Sequence, residues 1–206
     1  MPARKHLFET LAKTLSAKTR AERTPLPEYK ADDLVAQRRI EGADLVEPFV
    51  RNLKALNGRV FDNAGELAVW LHEKGWTKGY CDPDLFAEYG SEMAMCGLEI
   101  ATEYKREALD EIQFSLSRAH AGIAESGTVV IREADTPNRL AALAPWVHIT
   151  LLPRTALRRS LGDALADLGT DAYTVWATGP SKTADVEGIL IEGVHGPGRQ
   201  VALLLG

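Results

Sequence analysis

The sequence predicts an α/β fold: an open, parallel-rich sheet flanked by helices, with an N-terminal helical extension. Three observations carry this expectation. From residue 58 onward, short apolar runs alternate with helical periods, the pattern of successive strand and helix units. Those runs are apolar throughout, as strands covered on both faces are. Before residue 58 the apolar positions recur instead at 3.6-residue spacing. Residues 1–57 are therefore assigned to the extension and 58–206 to the α/β domain.

Each element has its own signal. Residues 5–17 place Leu7, Phe8, Leu11 and Leu15 at helical spacing, and the two prolines of TRAERTPLPEY end that helix. Leu45, Val46, Phe49, Val50, Leu53 and Leu56 define a second helix, closed by Asn57-Gly58. This quarter is either a helical cap packed on the domain or an arm that docks on a partner chain. GRVF is the first strand. Asp62-Asn63 can cap a helix whose apolar face is Leu67, Trp70 and Leu71, stopped by Lys74-Gly75. TKGYC is the next strand, and residues 103–112 suit a helix. SGTVVI and PWVHITLLP are rich in β-branched residues and read as buried strands. RTALRRSLGDALADLG reads as one helix with Leu157, Leu161, Leu165 and Leu168 inward. AYTVWAT, a short helix at 183–190 and RQVALLLG complete the alternation.

Composition narrows the function classes. The chain has 206 residues, 45% hydrophobic and 26% charged, which suits an ordinary globular domain. Its net charge is −5 with scattered basic residues, so nucleic-acid binding is not expected. No window approaches the roughly 18 apolar residues of a membrane span, and the first residues lack an apolar signal core. A cytoplasmic protein is expected. Its two cysteines, Cys81 and Cys96, lie 15 positions apart, which is not zinc or cluster spacing. No metal site is expected, and no cofactor motif such as GxGxxG follows a strand.

Two segments are rich in small polar residues at strand junctions, where open α/β sheets place ligands. In TGPSKTAD, Gly179 permits an unusual backbone angle and Pro180 fixes the next. Ser181 and Thr183 can cap the expected helix near Ala184, whose free N–H groups, beside Lys182, suit a phosphate or carboxylate. Asp185 and Glu187 would favour the helix dipole but repel a second anion. This is not a Walker loop, because the lysine follows the serine. In the second segment, Glu125, Ser126, Gly127 and Thr128 precede a buried strand. Glu125 can act as nucleophile, base or hydrogen-bond acceptor, or simply occupy a solvated turn. His195, in GVHGP, is the preferred acid/base histidine, ahead of His120 and His148.

The blocks AESGTVVI, LAPWVHITLLPRTAL and TGPSKTADVEGILIEGVHGP together resemble the LUD domain of the lactate-utilization protein C family, over roughly residues 58–206. The resemblance implies a fold like that of ribose-5-phosphate isomerase and the CoA transferases. It implies a role in oxidising L-lactate to pyruvate, as a subunit of a complex whose other members carry the iron–sulfur clusters. It also departs from the family pattern: Ser126 stands where threonine is common, and Lys182 where arginine is frequent, losing bidentate geometry. Under this reading the two segments line one pocket. Gly179, Pro180, Ser181, Lys182 and Thr183, with Ser126, Gly127 and Thr128, would bind a small carboxylic acid or phosphate. Glu125 and Asp185 would be polar acceptors, and His195-Gly196 would close the rim. Two alternatives stay open: an independent enzyme acting on a phosphorylated or CoA-linked molecule, with Glu125 as nucleophile, or a small-acid sensor without turnover.

Overall fold

The computed structural model describes residues 2–16, 40–169, 173–184 and 187–206. The chain divides into two compact units, 1–39 and 40–206. In the first, α1 (Pro2–Ser16) covers the first expected helix and carries exposed Leu7, Phe8 and Leu11. The second unit opens with α2 (Val46–Ala55). This helix, which the sequence places in the extension, therefore belongs to the same compact unit as the sheets.

A six-stranded sheet organises that unit. Its order is β1 (Arg59–Phe61), β12 (Arg199–Leu205), β7 (Val147–Pro153), β4 (Phe114–Arg118), β2 (Lys78–Cys81), β3 (Glu99–Ala101), and every neighbouring pair is parallel. Alternate side chains point to opposite faces. Val147, Ile149 and Leu151 of β7 and Val201 and Leu203 of β12 meet α3 (Ala64–Glu73) and the helical segment 83–95, through Leu67, Leu71, Leu85 and Met93. On the other face, Leu152, Ala202 and Leu204 pack against Phe49 and Leu53 of α2 and against a second sheet. That sheet has the order β8 (Leu157–Arg158), β5 (Ala121–Ile123), β6 (Thr128–Arg132), β9 (Thr174–Ala177). The parallel-rich, helix-flanked sheet of the sequence reading is present, although β6 and β9 pair antiparallel in the second sheet rather than joining the first.

Local chemistry explains the element ends. Asn63 Oδ1 accepts the Glu66 N–H at 2.8 Å, and Gly75, at φ +71°, ends α3. Three expected helices are different. Residues 106–111 form a 3-10 turn, and Ile112, which follows it, is extended. The single helix over 154–169 is instead a 3-10 turn at 154–156, the strand β8, and a helix Leu161–Asp167. Ser160 and Asp163 form a reciprocal capping box that starts this helix, so Leu161 and Leu165 are exposed and Ala164 is the buried residue. The described residues of the expected helix at 183–190, 183–184 and 187–190, are not helical. Lys182–Ala184 (β10) and Leu190–Glu192 (β11) form an antiparallel hairpin, with Lys182 opposite Glu192 and Thr183 opposite Ile191. β-branched residues and an oppositely charged cross-strand pair favour this pairing, and Gly188, at φ +76°, disfavours a helix.

One polar chain crosses the sheet interior. His148 is fully buried, with Nε2 2.8 Å from Ser117 Oγ on β4 and Nδ1 2.9 Å from Gln200 Oε1 on β12. The Gln200 oxygen only accepts, so Nδ1–H donates to it and Nε2 accepts from Ser117. Burial drives the imidazole pKa down to about 4. An unfolded histidine binds a proton near pH 6.5, so protons favour the unfolded chain below that value. Stability should therefore fall between about pH 6.5 and 4, by roughly 3 kcal/mol attributable to this group. Denaturant unfolding across that range should show the fall, and His148→Gln should flatten it. An unchanged pH dependence in the variant would refute the assignment.

Candidate functional site

The two segments singled out in the sequence do meet. Thr128 Oγ1 lies 2.7 Å from both Ser126 Oγ and Thr178 Oγ1, linking the start of β6 to the end of β9. What they meet around is α2. Gly127, at φ +67°, sits so close to this helix that a Cβ would lie 2.2 Å from the Leu53 nitrogen. Gly179, at φ +90°, would place a Cβ 2.7 Å from the Leu56 carbonyl oxygen. Asn52 Nδ2 donates to the Ala124 carbonyl at 2.7 Å and completes the seam.

The polar residues of these segments have structural partners. Glu125 Oε1 accepts the Leu161 N–H at 2.6 Å, at the start of the helix Leu161–Asp167. Lys182 Nζ donates to the Leu56 carbonyl at 3.2 Å and stands 3.8 Å from Glu192. Ser181 N–H donates to Pro197 O, and Ser181 O accepts from Gly193 N–H, both at 2.9 Å. Pro180 is buried, and Thr183 lies in β10. Gly196 adjoins Ser181, and His195 is exposed beside it, in the loop that leads to the amino end of β12. Asp185 lies outside the described residues.

A denser cluster of titratable groups lies at the opposite, carboxyl ends of β2 and β4, where parallel sheets usually present their ligand crevice. β2 runs directly into Asp82, which is 2% exposed. Thr136 Oγ1 donates to its Oδ2 at 2.7 Å, while Oδ1 is buried with no hydrogen-bond partner among the described residues. Burial raises the Asp82 pKa above the usual carboxylate range, against the opposing hydrogen bonds of Thr136 and Tyr80. Burial, reinforced by Asp82, also pushes the Cys81 thiol up to about 12, so this sulfur is a neutral thiol at pH 7 and not a nucleophile. Tyr80 is raised for the same two reasons.

β4 ends at Arg118, and the chain reaches β5 through Ala119 and His120. His120 Nδ1 stands 3.5 Å from Asp135 Oδ2, and His120 Nε2 is a second buried atom without a partner among the described residues. Asp135 is gripped in fork geometry by Arg132, with Nε to Oδ2 at 2.7 Å and Nη2 to Oδ1 at 2.8 Å. That grip, more than the added charges of His120 and Arg118, holds the Asp135 carboxyl below its ordinary pKa. Asp135 is thus a permanent anion that orients one face of the imidazole. Arg118 is exposed and has no hydrogen bond or ion pair among the described residues, whereas Arg158 is tied to Asp167 and to the Thr155 carbonyl. Arg118, His120, Asp135, Pro153, Thr155 and Arg158 line an open cleft of about 320 Å³.

The arrangement supplies a cation without a hydrogen bond or ion pair among the described residues, a histidine oriented by a fixed carboxylate, and a buried carboxyl group nearby. These are the parts needed to bind a small monoanion and move one proton. Among the described residues, no group of three histidine, cysteine or acidic side chains is placed to hold a metal ion. Sequence reasoning missed this cluster. Asp82 carries no motif of its own in the sequence, and the sequence leaves His120 either buried or exposed. Only the strand order 7-4-2 brings the two chain segments together. The one available sign was that both stand just past an apolar run.

The glycine seam gives a stability test. Gly127→Ala combines a strained φ with a clash against backbone and should cost at least about 3 kcal/mol. Gly75→Ala shares the positive φ but has no atom within 4 Å, and should cost about 1–2 kcal/mol. Equal unfolding midpoints for the two variants would show that α2 does not press on this turn.

Comparisons with known proteins bear on the whole domain. Residues 24–205 match the family description of the LUD domain. Lactate utilization protein C of Halalkalibacterium halodurans is 24% identical over 210 residues, covering 94% of this chain and 78% of that protein. The Bacillus velezensis protein of the same name is 29% identical over 107 residues, covering 48% of this chain and 44% of its own length. The matched stretch spans about half the length of several curated relatives. A crystal structure of a DUF162 family protein from Deinococcus radiodurans shares the fold, with a TM-score of 0.59 at 17% identity, covering 79% of this chain and 96% of that one. The mixed α/β architecture and the match over most of the sequence agree: the chain belongs to the LUD domain family.

Proposed function

We propose that this protein takes part in lactate utilization by binding a small 2-hydroxy or 2-oxo monocarboxylate in the cleft at the carboxyl ends of β4 and β7. The observation that carries this reading is the pairing of Arg118, which has no hydrogen bond or ion pair among the described residues, with the His120–Asp135 couple. A carboxylate on Arg118 makes charge-assisted, potentially bidentate hydrogen bonds. The neighbouring hydroxyl then falls to His120, which lines the cleft and can take its proton, with Asp135 stabilising the resulting imidazolium.

Oxidation of lactate to pyruvate releases two electrons and two protons. One proton passes to His120. The electrons and the second proton leave for a redox chain, which we assign to iron–sulfur partner subunits of a lactate-oxidising complex. The names of the relatives support the metabolic setting. No helix among the described residues is long and apolar enough to cross a membrane. A CoA-transferase-like reaction gains no support from Glu125, since its carboxylate caps a helix.

Calorimetric titration with L-lactate and pyruvate tests the proposal. Both should bind, and Arg118→Ala should weaken binding about tenfold to a hundredfold. His120→Gln should largely preserve binding while abolishing lactate oxidation by the reconstituted complex. Failure of both acids to bind, or equal affinity in Arg118→Ala, would overturn it.

A further inference from the structure

A second cleft, of about 610 Å³, opens at the amino end of the sheet alongside β1, lined among others by Lys54, Asn57, Arg59, Glu192 and Arg199. We propose that it is a binding site for a phosphoryl dianion, carried by a small phosphate ester or a pyrophosphate. The proposal is independent of the monocarboxylate site, which lies at the other ends of the strands.

Charge selects the ligand class. The protein carries net −5, yet three cations here face one carboxylate, leaving two positive charges uncompensated in the lining. That is the charge of a phosphoryl dianion rather than of a monocarboxylate. Asp62, beyond the end of β1, does not alter this balance, because Arg154 holds it at 2.6 Å. Glu192 already serves as an internal anion: Oε1 accepts from Asn57 Nδ2 at 2.8 Å, Oε2 lies 3.3 Å from Arg199 Nη1, and Lys182 Nζ stands 3.8 Å away. The basic lining is therefore shaped to hold oxygen anions.

The cations are also preorganised. The Arg59 guanidinium lies 5.2 Å from the Trp70 ring centroid, and that of Arg199 lies 5.8 Å from that of Trp146. Trp146 is itself seated against Gly193 and Gly198, where a Cβ would meet the indole at 2.3 Å and 2.4 Å. Guanidiniums stacked on fixed rings lose less freedom on binding than free side chains do. β1 is the terminal strand of its sheet and its outer edge has no strand partner among the described residues, so backbone groups also border the cleft.

Titration with inorganic pyrophosphate at low ionic strength tests the site. Saturable binding is expected, weakening steeply with salt. Lys54→Ala, on an exposed position of α2, should weaken it roughly fivefold, and Glu192→Gln should tighten it by a similar factor by removing the competing anion. Arg118→Ala should leave it unchanged, and excess L-lactate should not displace it. Absence of saturable binding, or equal affinity for wild type and Lys54→Ala, would overturn the proposal. So would displacement by L-lactate that is lost in Arg118→Ala, since the anion would then occupy the other site. Should Glu192→Gln prove unstable by its unfolding midpoint, Lys54→Ala decides alone.

Discussion

The contact on which the rest of this domain depends is the approach of α2 to two glycines. Gly127 meets the backbone at Leu53, and Gly179 meets the carbonyl of Leu56. Neither position admits a Cβ, so the helix can lie flat against the turn that begins β6 and the loop that follows β9. Leu53 and Phe49 are then wholly buried against Leu152, Leu204 and the second sheet. Burying two such side chains contributes roughly 3–6 kcal/mol before conformational entropy is subtracted. α2 also leads through Asn57 into β1, so the same helix sets where the edge strand starts. A small-residue motif at a strand junction can thus serve packing, even where its composition resembles that of a ligand loop.

This arrangement separates two chemistries. The carboxyl ends of β2 and β4 carry Asp82, Arg118 and His120, three side chains from strands that are adjacent in the sheet but more than 30 positions apart in the chain. The turn 133–136 closes over them, bringing Thr136 to Asp82 and Asp135 to His120. Burying Asp82 with an oxygen unsatisfied among the described residues is costly, on the order of 1–3 kcal/mol. Such costs are characteristic of sites that complete their hydrogen bonding with a ligand or water. The amino ends, by contrast, gather cations around Glu192 and anchor them on indole rings.

Between the two ends runs the Ser117–His148–Gln200 chain, buried in the middle of the sheet. Each ring nitrogen has a partner of the right polarity, so a neutral histidine is tolerated where a charged one would not be. Its register is strict: Ser115 and Gln200 flank His148 in the strand ladders, and a one-residue slip would turn the polar chain to the other face.

The sequence by itself determined the elements whose signals are local. The strands at 59–61, 78–81, 128–132, 147–153, 174–177 and 199–205, the helix 46–55 and a cap at Asp62-Asn63 were all legible, because apolar runs, 3.6-residue periods and capping side chains act within a few residues. The family was legible in three blocks for the same reason. The tertiary structure alone decided the rest. The leucine period over 157–168 coincided with a strand followed by a new helix, because pairing of Leu157 with Gly122 outweighed local helix preference. Residues 182–184 and 190–192 pair as antiparallel strands, with Lys182 and Glu192 meeting across them. Glu125 became a helix cap because Leu161 N–H came within reach of it. The cluster of Asp82, Arg118, His120 and Asp135 had no spacing to reveal it, since it exists only through strand order. Sequence patterns record interactions between near neighbours, whereas a site is made of contacts between segments that the chain keeps far apart.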